Sequence, residues 1–297
     1  MGAAGAILAT AAGVAMIGLA GRDAFDALFH PEGHATVGRL ISRSVWRLFR
    51  RTGPGHRLFP LGGPAALVAV IGTWAALLIV GWALIFLPHM PGGFRFQPGV
   101  ESAGSDFAHS LNVSLVTLTT LGFGDITPTA SALRLILPLE ALLGFGLLTS
   151  SISWLLLIYP VLARRRSLAY EISLLRAAED ETELSVDHLE PEALERVYAE
   201  LTSRLVAVER DLVNFPISYY FAEADPRFSL PAAAPYLLEL GRRGTAQDSP
   251  GHVHLRAHLL LKAVEDLGRT VAGFHGGRTD SPDDMLAAYA RDHLREP

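Results

Sequence analysis

The chain has 297 residues, half of them apolar, a net charge of −5 and no cysteine. So high an apolar fraction is unusual for a soluble globular protein. The lack of cysteine excludes disulfides, thiolate metal sites and cysteine nucleophiles. Residues 1–166 carry a charge of +5 and residues 167–297 a charge of −10, which predicts a membrane region followed by an acidic aqueous domain. The acidic second half argues against nucleic-acid binding, which needs a basic face.

Three apolar segments are long enough to cross a membrane. Residues 1–21 contain no charged side chain, and we interpret them as a retained N-terminal transmembrane helix, because a secretory signal peptide would begin with basic residues. A cleaved signal peptide is the alternative. Residues 65–87 have no charge and predict an outer helix. Residues 135–163 predict an inner helix, which ends at three arginines (164–166).

Arginine counts in the connections predict the orientation of these spans. Seven arginines lie between Arg22 and Arg57, whereas residues 88–106 contain only Arg95. With the three arginines after the inner helix, this places the N-terminus outside the cell membrane and residues 167–297 in the cytoplasm.

The basic segment 22–62 contains a predicted amphipathic helix, with apolar residues and arginines on different faces. We expect its residues 39–51 to lie on the inner leaflet and to contact membrane lipids. An ordinary cytoplasmic helix packed on the acidic tail is the alternative.

A short segment between the second and third spans carries the chemistry. Residues 107–118 are too short to cross a membrane and predict a re-entrant helix, and Thr-Thr-Leu-Gly-Phe-Gly-Asp follows at 119–125. Non-helical backbone at membrane depth is tolerated where it lines an aqueous path. Alternating glycines permit conformations in which successive carbonyls point the same way. Four such strands around an axis would form oxygen rings that replace the hydration shell of a cation.

The order of span, pore helix, Thr-Leu-Gly-Phe-Gly-Asp and span resembles the potassium channel superfamily, whose signature is Thr-Val-Gly-Tyr-Gly-Asp. The resemblance covers about residues 65–163. It implies an all-α membrane protein with a tetrameric pore domain at 63–166, built from outer helix, pore helix, selectivity filter and inner helix. K⁺ would be the permeant ion, with no cofactor and no other metal. Leu121 and Phe123 are the departures, and Phe123 lacks the hydroxyl that braces the filter in many members.

The resemblance also assigns roles to single residues. Asp125 would lie at the outer mouth, and Thr117 and Thr119 would support the filter. Some members pair the filter aspartate with a pore-helix glutamate, but Val116 stands at that position here, so Asn112 is one candidate partner and a plain helix-surface position is its alternative. The filter residues that would bind the ion are Thr120, Leu121, Gly122, Phe123 and Gly124.

Glu140 is an acid within the predicted inner helix. A charged group at membrane depth costs several kcal/mol on some scales and is normally paired or functional. We expect Glu140 to lie behind the filter as a support residue, hydrogen-bonded to a pore-helix hydroxyl such as Thr117 or Ser114.

The inner helix also contains candidates for a gating hinge, namely Gly144, Gly146 and Pro160. Glycine lowers the cost of bending a helix, and proline removes a helical hydrogen bond. Close helix packing is the alternative for the glycines, and the end of the span is the alternative for Pro160.

Residues 167–297 predict an acidic, helical cytoplasmic domain. Apolar residues at near-heptad spacing run from Leu194 through Val197 to Leu212, which fits either a coiled coil or a helix in a bundle. Ser281 followed by proline predicts a helix start. We expect this domain to assemble beneath the pore and to bind an unidentified cytoplasmic regulator or ligand.

The sequence contains no Gly-x-Ser-x-Gly, His-Glu-x-x-His or phosphate-loop motif, so we do not predict an enzyme. We predict a homotetrameric, K⁺-selective channel of the cell membrane. A weakly selective cation channel is one alternative. A non-conducting membrane signalling or scaffold protein with a channel-like pore is the other.

Overall fold

The computed structural model describes residues 2–28, 35–53, 56–98, 105–246, 250–275 and 281–293, and it is largely helical. A two-stranded antiparallel ribbon pairs β1 (Phe94–Phe96) with β2 (Ile126–Pro128). Short 3₁₀ turns lie at Phe59–Leu61, Leu87–His89, Val186–His188, Pro216–Tyr220 and Pro226–Phe228. The α-helices are α1 (Ala3–Leu28), α2 (Thr36–Arg50), α3 (Gly62–Phe86), α4 (Asp106–Leu118), α5 (Ser131–Thr182), α6 (Pro191–Asn214), α7 (Leu230–Ala246), α8 (Gly251–His275) and α9 (Pro282–Asp292).

Three helical stretches are long and apolar enough to cross a membrane: α1, α3 with its flanking turns, and α5. The inner helix differs most from its predicted extent, because α5 continues past Ala163 to Thr182. Residues 167–182 contain neither glycine nor proline and consist largely of good helix formers. The change from apolar to charged residues after Ala163 therefore marks the predicted passage from membrane to water, and the helix itself continues through it.

The described residues form two compact units. The first holds α1, the start of α2, α3 from Val68, α4, the ribbon and α5 up to Leu156. The second holds the rest of α2, the start of α3, α5 from Leu157 and helices α6 to α9.

In the first unit, α1 packs directly on α3. A Cβ atom added to Gly81 would lie 2.9 Å from the backbone oxygen of Gly13. Only glycines permit so close an approach, and small residues commonly mediate helix packing in membranes. The retention of residues 1–21 as a span stays a prediction.

Asp23 joins three helices of the first unit. Its buried carboxylate accepts hydrogen bonds from the backbone N–H groups of Val37 and Gly38, both at 2.8 Å, and from the Trp74 indole at 2.9 Å. The first-turn N–H groups of a helix have no helical partner, so the carboxylate of α1 caps α2 while it also binds α3. The role of Asp23 could not be predicted from the sequence, because its partners lie far along the chain.

In the second unit, the later part of α2 packs on the helical domain through Trp46. The Trp46 indole donates to Asp292 at 2.9 Å, and Arg50 pairs with the same carboxylate at 2.8 Å. Leu40 and Leu48 on this helix are each 60% exposed. Trp46 and Arg50 thus pack on the helical domain, as the alternative to the membrane-surface interpretation expects, and contact of residues 39–51 with lipid stays a prediction.

The three arginines that follow the predicted span bind the helical domain. Arg164 pairs with Asp211 through two bonds of 2.7 Å. Arg165 is buried and donates to the backbone oxygens of Ser218 and Phe221, both at 2.6 Å. Residues that predicted the orientation of the helix thus also attach α6 and the turn after it to α5.

The core of the helical domain is formed by α6, α7, α8 and α9, with α6 packed on α8. Within the described residues, the near-heptad pattern of α6 thus belongs to a bundle. The buried position is Tyr198 and not the predicted Val197, so the buried apolar residues of α6 recur at steps of 4, 3, 4, 3 and 4. The predicted helix start is present, with Ser281 at the N-cap of α9. The buried residues of α6 include Leu194, Tyr198, Leu201, Leu205, Val208 and Leu212.

The buried His293 gives the second unit an acid-sensitive contact. Its Nε2 lies 2.8 Å from the backbone oxygen of Tyr219, to which it can donate. Burial lowers the pKa of His293 to about 4 from its ordinary value of 6.5, and Asp292 opposes this shift. Since the unfolded chain takes up a proton at higher pH than the folded protein, stability is full above about pH 6.5 and falls towards pH 4.

We expect the free energy of unfolding to drop by roughly 3 kcal/mol over this window through His293. His293→Gln keeps a donor but cannot titrate, so it should flatten this part of the pH profile. His258→Gln, which changes an exposed histidine, is the control. The measurement is the thermal unfolding of the purified full chain in detergent from pH 7.5 to 4. Equal pH profiles for the His293 variant and the unaltered protein would contradict the assignment.

Candidate functional site

Helix α4 ends at the start of the filter sequence. Ser105 caps its first turn by accepting a hydrogen bond from the Ala108 N–H at 3.2 Å. The helix then runs from Asp106 to Leu118. Its C-terminal end carries about half a negative charge and favours a nearby cation.

The backbone after α4 adopts an alternating conformation. The φ angles of Thr120, Gly122 and Gly124 are +58°, +57° and +74°, so every second residue is left-handed. Glycine adopts this region without strain, whereas threonine pays a steric cost. The two glycines of the signature therefore stand where the backbone requires them.

Hydrogen bonds to α4 orient the first peptide groups of the filter. The N–H groups of Leu121 and Gly122 both point to the backbone oxygen of Val116, at 3.0 and 3.4 Å. In a planar trans peptide the carbonyl points opposite to the N–H. The carbonyls of Thr120 and Leu121 therefore point away from α4, on a common side.

The filter side chains are not covered within one chain. Leu121 is 61% exposed and Phe123 is 67% exposed. In a chain with membrane-spanning helices, exposed apolar side chains are covered by lipid or by another chain. A single copy thus leaves the filter open on the sides where its side chains point.

Glu140 lies behind α4 and contacts Ser114, one of the two pore-helix hydroxyls named from the sequence. Its carboxyl group is buried, and its Oε1 lies 2.5 Å from the Ser114 hydroxyl. That hydroxyl also lies 2.9 Å from the backbone oxygen of Ile79. Ser114 has one hydrogen and the Ile79 carbonyl can only accept, so the geometry fits a protonated Glu140 that donates to Ser114. The chain of bonds joins α5, α4 and α3.

Thr119 and Asp125 have contacts other than those expected from the sequence. The Thr119 hydroxyl donates back to the Leu115 carbonyl of its own helix at 2.7 Å. No hydrogen bond joins Asn112 to Asp125 within the described residues. The backbone oxygen of Asp125 instead accepts the N–H of Gln97 at 2.9 Å. Gln97 follows β1, and no motif in the sequence points to it.

Gly144 allows the closest contact between α5 and α4. A Cβ atom added to Gly144 would overlap the backbone oxygen of Leu118, whereas a Cβ on Gly146 would meet nothing within 4 Å. This contact favours the packing alternative for Gly144. Pro160 lies inside α5 and does not end the helix.

Comparison with known proteins places this segment in a family. Residues 70–156 match a family model described as "Ion channel". These residues form an ion-channel domain. The match confirms the resemblance to the potassium channel superfamily and, with the three candidate spans, the fold class of an all-α membrane channel. It points to a non-enzymatic, membrane-embedded protein. No curated protein and no solved structure matches the chain.

The two glycines of α5 provide a matched pair of substitutions in this domain. Gly144→Ala should lower the free energy of unfolding by about 2–3 kcal/mol, because the clash is with backbone and no side chain can move aside. Gly146→Ala should change it by less than about 1 kcal/mol, in the stabilising direction. Thermal unfolding of the purified protein in detergent measures both. Equal melting temperatures for the two variants would show that Gly144 does not set the packing distance.

The hydrogen bond between Glu140 and Ser114 can be tested with two substitutions of Glu140, one that keeps a donor and one that removes it. Glu140→Gln keeps a donor for the Ser114 hydroxyl, so we expect the channel domain to fold and assemble normally. Glu140→Ala removes the donor and leaves a cavity, which should cost roughly 2–4 kcal/mol. Size-exclusion chromatography and thermal unfolding measure the outcome. Complete loss of assembly in Glu140→Gln would contradict a protonated support residue.

Proposed function

We propose that the protein is a K⁺-selective channel that conducts K⁺ passively across the cell membrane. The observation that carries the proposal is the alternating left-handed backbone at Thr120, Gly122 and Gly124, inside a segment that matches the ion channel family. Such a backbone directs successive carbonyls to one side, where they can replace the hydration shell of a dehydrated cation.

The filter residues then have distinct roles. Asp125 at the outer mouth attracts cations, and the C-terminal end of α4 stabilises a cation near the inner end of the filter. No cofactor takes part, and K⁺ is the transported substrate. The ion sites are formed by the backbone carbonyls of Thr120, Leu121, Gly122 and Phe123, the Thr120 hydroxyl and, at the outer end, Gly124.

We propose a homotetramer, because one chain contributes one filter strand and a ring of carbonyls needs four. The exposure of Leu121 and Phe123 in a single copy supports this assembly, since neighbouring copies would cover them. The close packing of α5 on α4 at Gly144 leaves the opposite side of α5 for the pore cavity.

The proposed orientation has the N-terminus outside and the helical domain in the cytoplasm. Exposed Leu40 and Leu48 lie beside exposed arginines within residues 39–51. Leucines and arginines on one helix suit an inner leaflet, where anionic headgroups attract the charge.

The helical domain is the proposed receiver of a cytoplasmic regulator or ligand. Arg164 and Arg165 attach it to α5 through a carboxylate and two backbone oxygens. A ligand that moves α6 would therefore act on the inner helix of the pore.

The test is K⁺ flux from liposomes that contain the purified full chain, followed by reversal potentials in planar bilayers under bi-ionic conditions. We expect K⁺ to permeate at least roughly tenfold better than Na⁺. Gly122→Ala should reduce the flux by about tenfold or more, because a left-handed residue becomes strained in each of four copies. Gly72→Ala in α3, where a Cβ would meet nothing within 4 Å, is the control.

Two outcomes would decide for the alternatives. Equal K⁺ and Na⁺ permeability would indicate a weakly selective cation channel, to which the Leu121 and Phe123 departures would then contribute. The absence of flux from an assembled tetramer, also after removal of the helical domain, would indicate a signalling or scaffold protein with a channel-like pore.

A further inference from the structure

The ribbon at the outer end of the pore domain extends to the last residue of the filter signature. Phe96 of β1 faces Ile126 of β2 in the antiparallel register. The N–H of Gln97 then donates to the backbone oxygen of Asp125 at 2.9 Å. The ladder of the ribbon therefore continues by one bond into the filter segment.

The side chain of Gln97 reaches one residue further into the filter. Its amide Nε2 donates to the backbone oxygen of Gly124 at 2.9 Å. The two bonds of Gln97 thus hold two successive carbonyls, those of Gly124 and Asp125. Within a single copy, a Cβ on Gly124 would meet nothing within 4 Å, so the bonds of Gln97 are the contacts from its own chain that hold this end of the filter in the described residues.

The ribbon that carries Gln97 is packed into the core of the first unit. Phe94 is buried and contacts Phe86 edge to face, with ring centroids 6.1 Å apart. Ile126 belongs to the same buried cluster. The N–H of Thr129 also donates to the backbone oxygen of Gly93 at 2.9 Å. Movement of Gln97 would therefore require the ribbon to leave the core of the first unit.

The usual supports from the pore helix are missing from this sequence. Val116 cannot pair with Asp125, and Phe123 has no hydroxyl. Asn112 makes no bond to Asp125 in the described part of the chain. The polar contact on the outer carbonyls comes instead from the ribbon, through Gln97.

We propose that Gln97 is a positioning residue of the filter, which holds the outer carbonyls so that the filter stays conductive when external K⁺ is scarce. This inference rests on the proposed function. Carbonyl oxygens that line an empty ion site repel each other, and a bound cation normally holds them together. A fixed amide donor on each of four copies opposes this repulsion when the ion is absent.

The assignment gives Gly124 a second role besides its place at the outer end of the proposed ion sites. Its carbonyl also accepts a hydrogen bond from Gln97, which lies on the ribbon. A carboxylate at position 97 would place a negative oxygen against that carbonyl and would repel it.

The experiment uses the full chain in planar bilayers and measures how fast steady K⁺ current declines at low and at high external K⁺. At low external K⁺ we expect Gln97→Ala and Gln97→Glu to lose current roughly fivefold faster than the unaltered channel. High external K⁺ should restore the slow decline of the unaltered channel, because bound ions then hold the carbonyls in place of the missing amide hydrogen bond. Gln97→Asn keeps the amide on a side chain that is shorter by one methylene group. Its rate of current decline at low external K⁺ should lie between that of the unaltered channel and that of Gln97→Ala.

Thr127→Ala is the matched control, because Thr127 is exposed on the same ribbon and makes no side-chain hydrogen bond to the filter within the described residues. A decline in Gln97→Ala equal to that of the unaltered channel at low external K⁺ would overturn the inference and leave the proposed function intact. An accelerated decline that high external K⁺ does not slow would also overturn it, since a general loss of structure would have that effect. An unaltered protein without K⁺ current would overturn the proposed function and this inference with it.

Thermal unfolding with and without K⁺ provides a second measurement that does not depend on current. K⁺ should stabilise the unaltered protein and Thr127→Ala to the same extent, because an ion that binds only the folded filter stabilises it. Gln97→Ala and Gln97→Glu should depend more strongly on K⁺. Equal K⁺ dependence in all four proteins would contradict the role of Gln97.

Discussion

The first part of the filter segment depends on one constraint: the N–H groups of Leu121 and Gly122 must be paired while the carbonyls of Thr120 and Leu121 stay free. An unpaired N–H at membrane depth costs several kcal/mol. The backbone oxygen of Val116 accepts the N–H groups of both Leu121 and Gly122, and this oxygen is available because the last carbonyls of a helix have no helical partner. Since each trans peptide points its carbonyl opposite to its N–H, pairing on the α4 side leaves oxygens on the other side. The end of α4 therefore both orients the filter and supplies a favourable charge for a cation.

This arrangement requires that the end of α4 be held from behind. Gly144 lets the backbone of α5 approach the Leu118 carbonyl. One turn earlier on α5, Glu140 bonds to Ser114, whose hydroxyl also lies within hydrogen-bonding distance of the Ile79 carbonyl of α3. A buried polar chain of this kind is stable only when its donors and acceptors match. Both contacts need a specific chemical group: a missing Cβ at one position and a donor at the other.

The parts of the molecule that could be predicted from the sequence are those encoded in neighbouring residues. The apolar runs and the signature at 119–125 are of this kind, and α4 begins one residue before its predicted start. Asp23, Gln97 and Arg165 were missed because each binds groups distant along the chain, and a polar residue in a turn or after a span has no periodic pattern. For Gly144 the sequence shows that a Cβ is absent, but not that a carbonyl lies beside it. The end of α5 was predicted too early, since a change of composition at a membrane surface does not interrupt helical hydrogen bonding.

Because α5 is continuous, one helix carries both the contacts behind α4 and the contacts to the helical domain. Arg165 is almost fully buried and donates to the carbonyls of Ser218 and Phe221, with Glu223 close to its charge. Separating these groups would leave a buried charge unpaired, which typically costs 3–5 kcal/mol for a buried ion pair. Because of this free-energy cost, the helical domain cannot slide along α5. It is attached to α5 at Arg165, in the part of the helix that follows Leu157. Glu140 and Gly144, which contact α4, lie earlier on the same helix. The two glycines that were predicted as hinge candidates differ in their surroundings within a single copy: a Cβ on Gly144 would overlap the Leu118 carbonyl, whereas a Cβ on Gly146 would meet nothing within 4 Å.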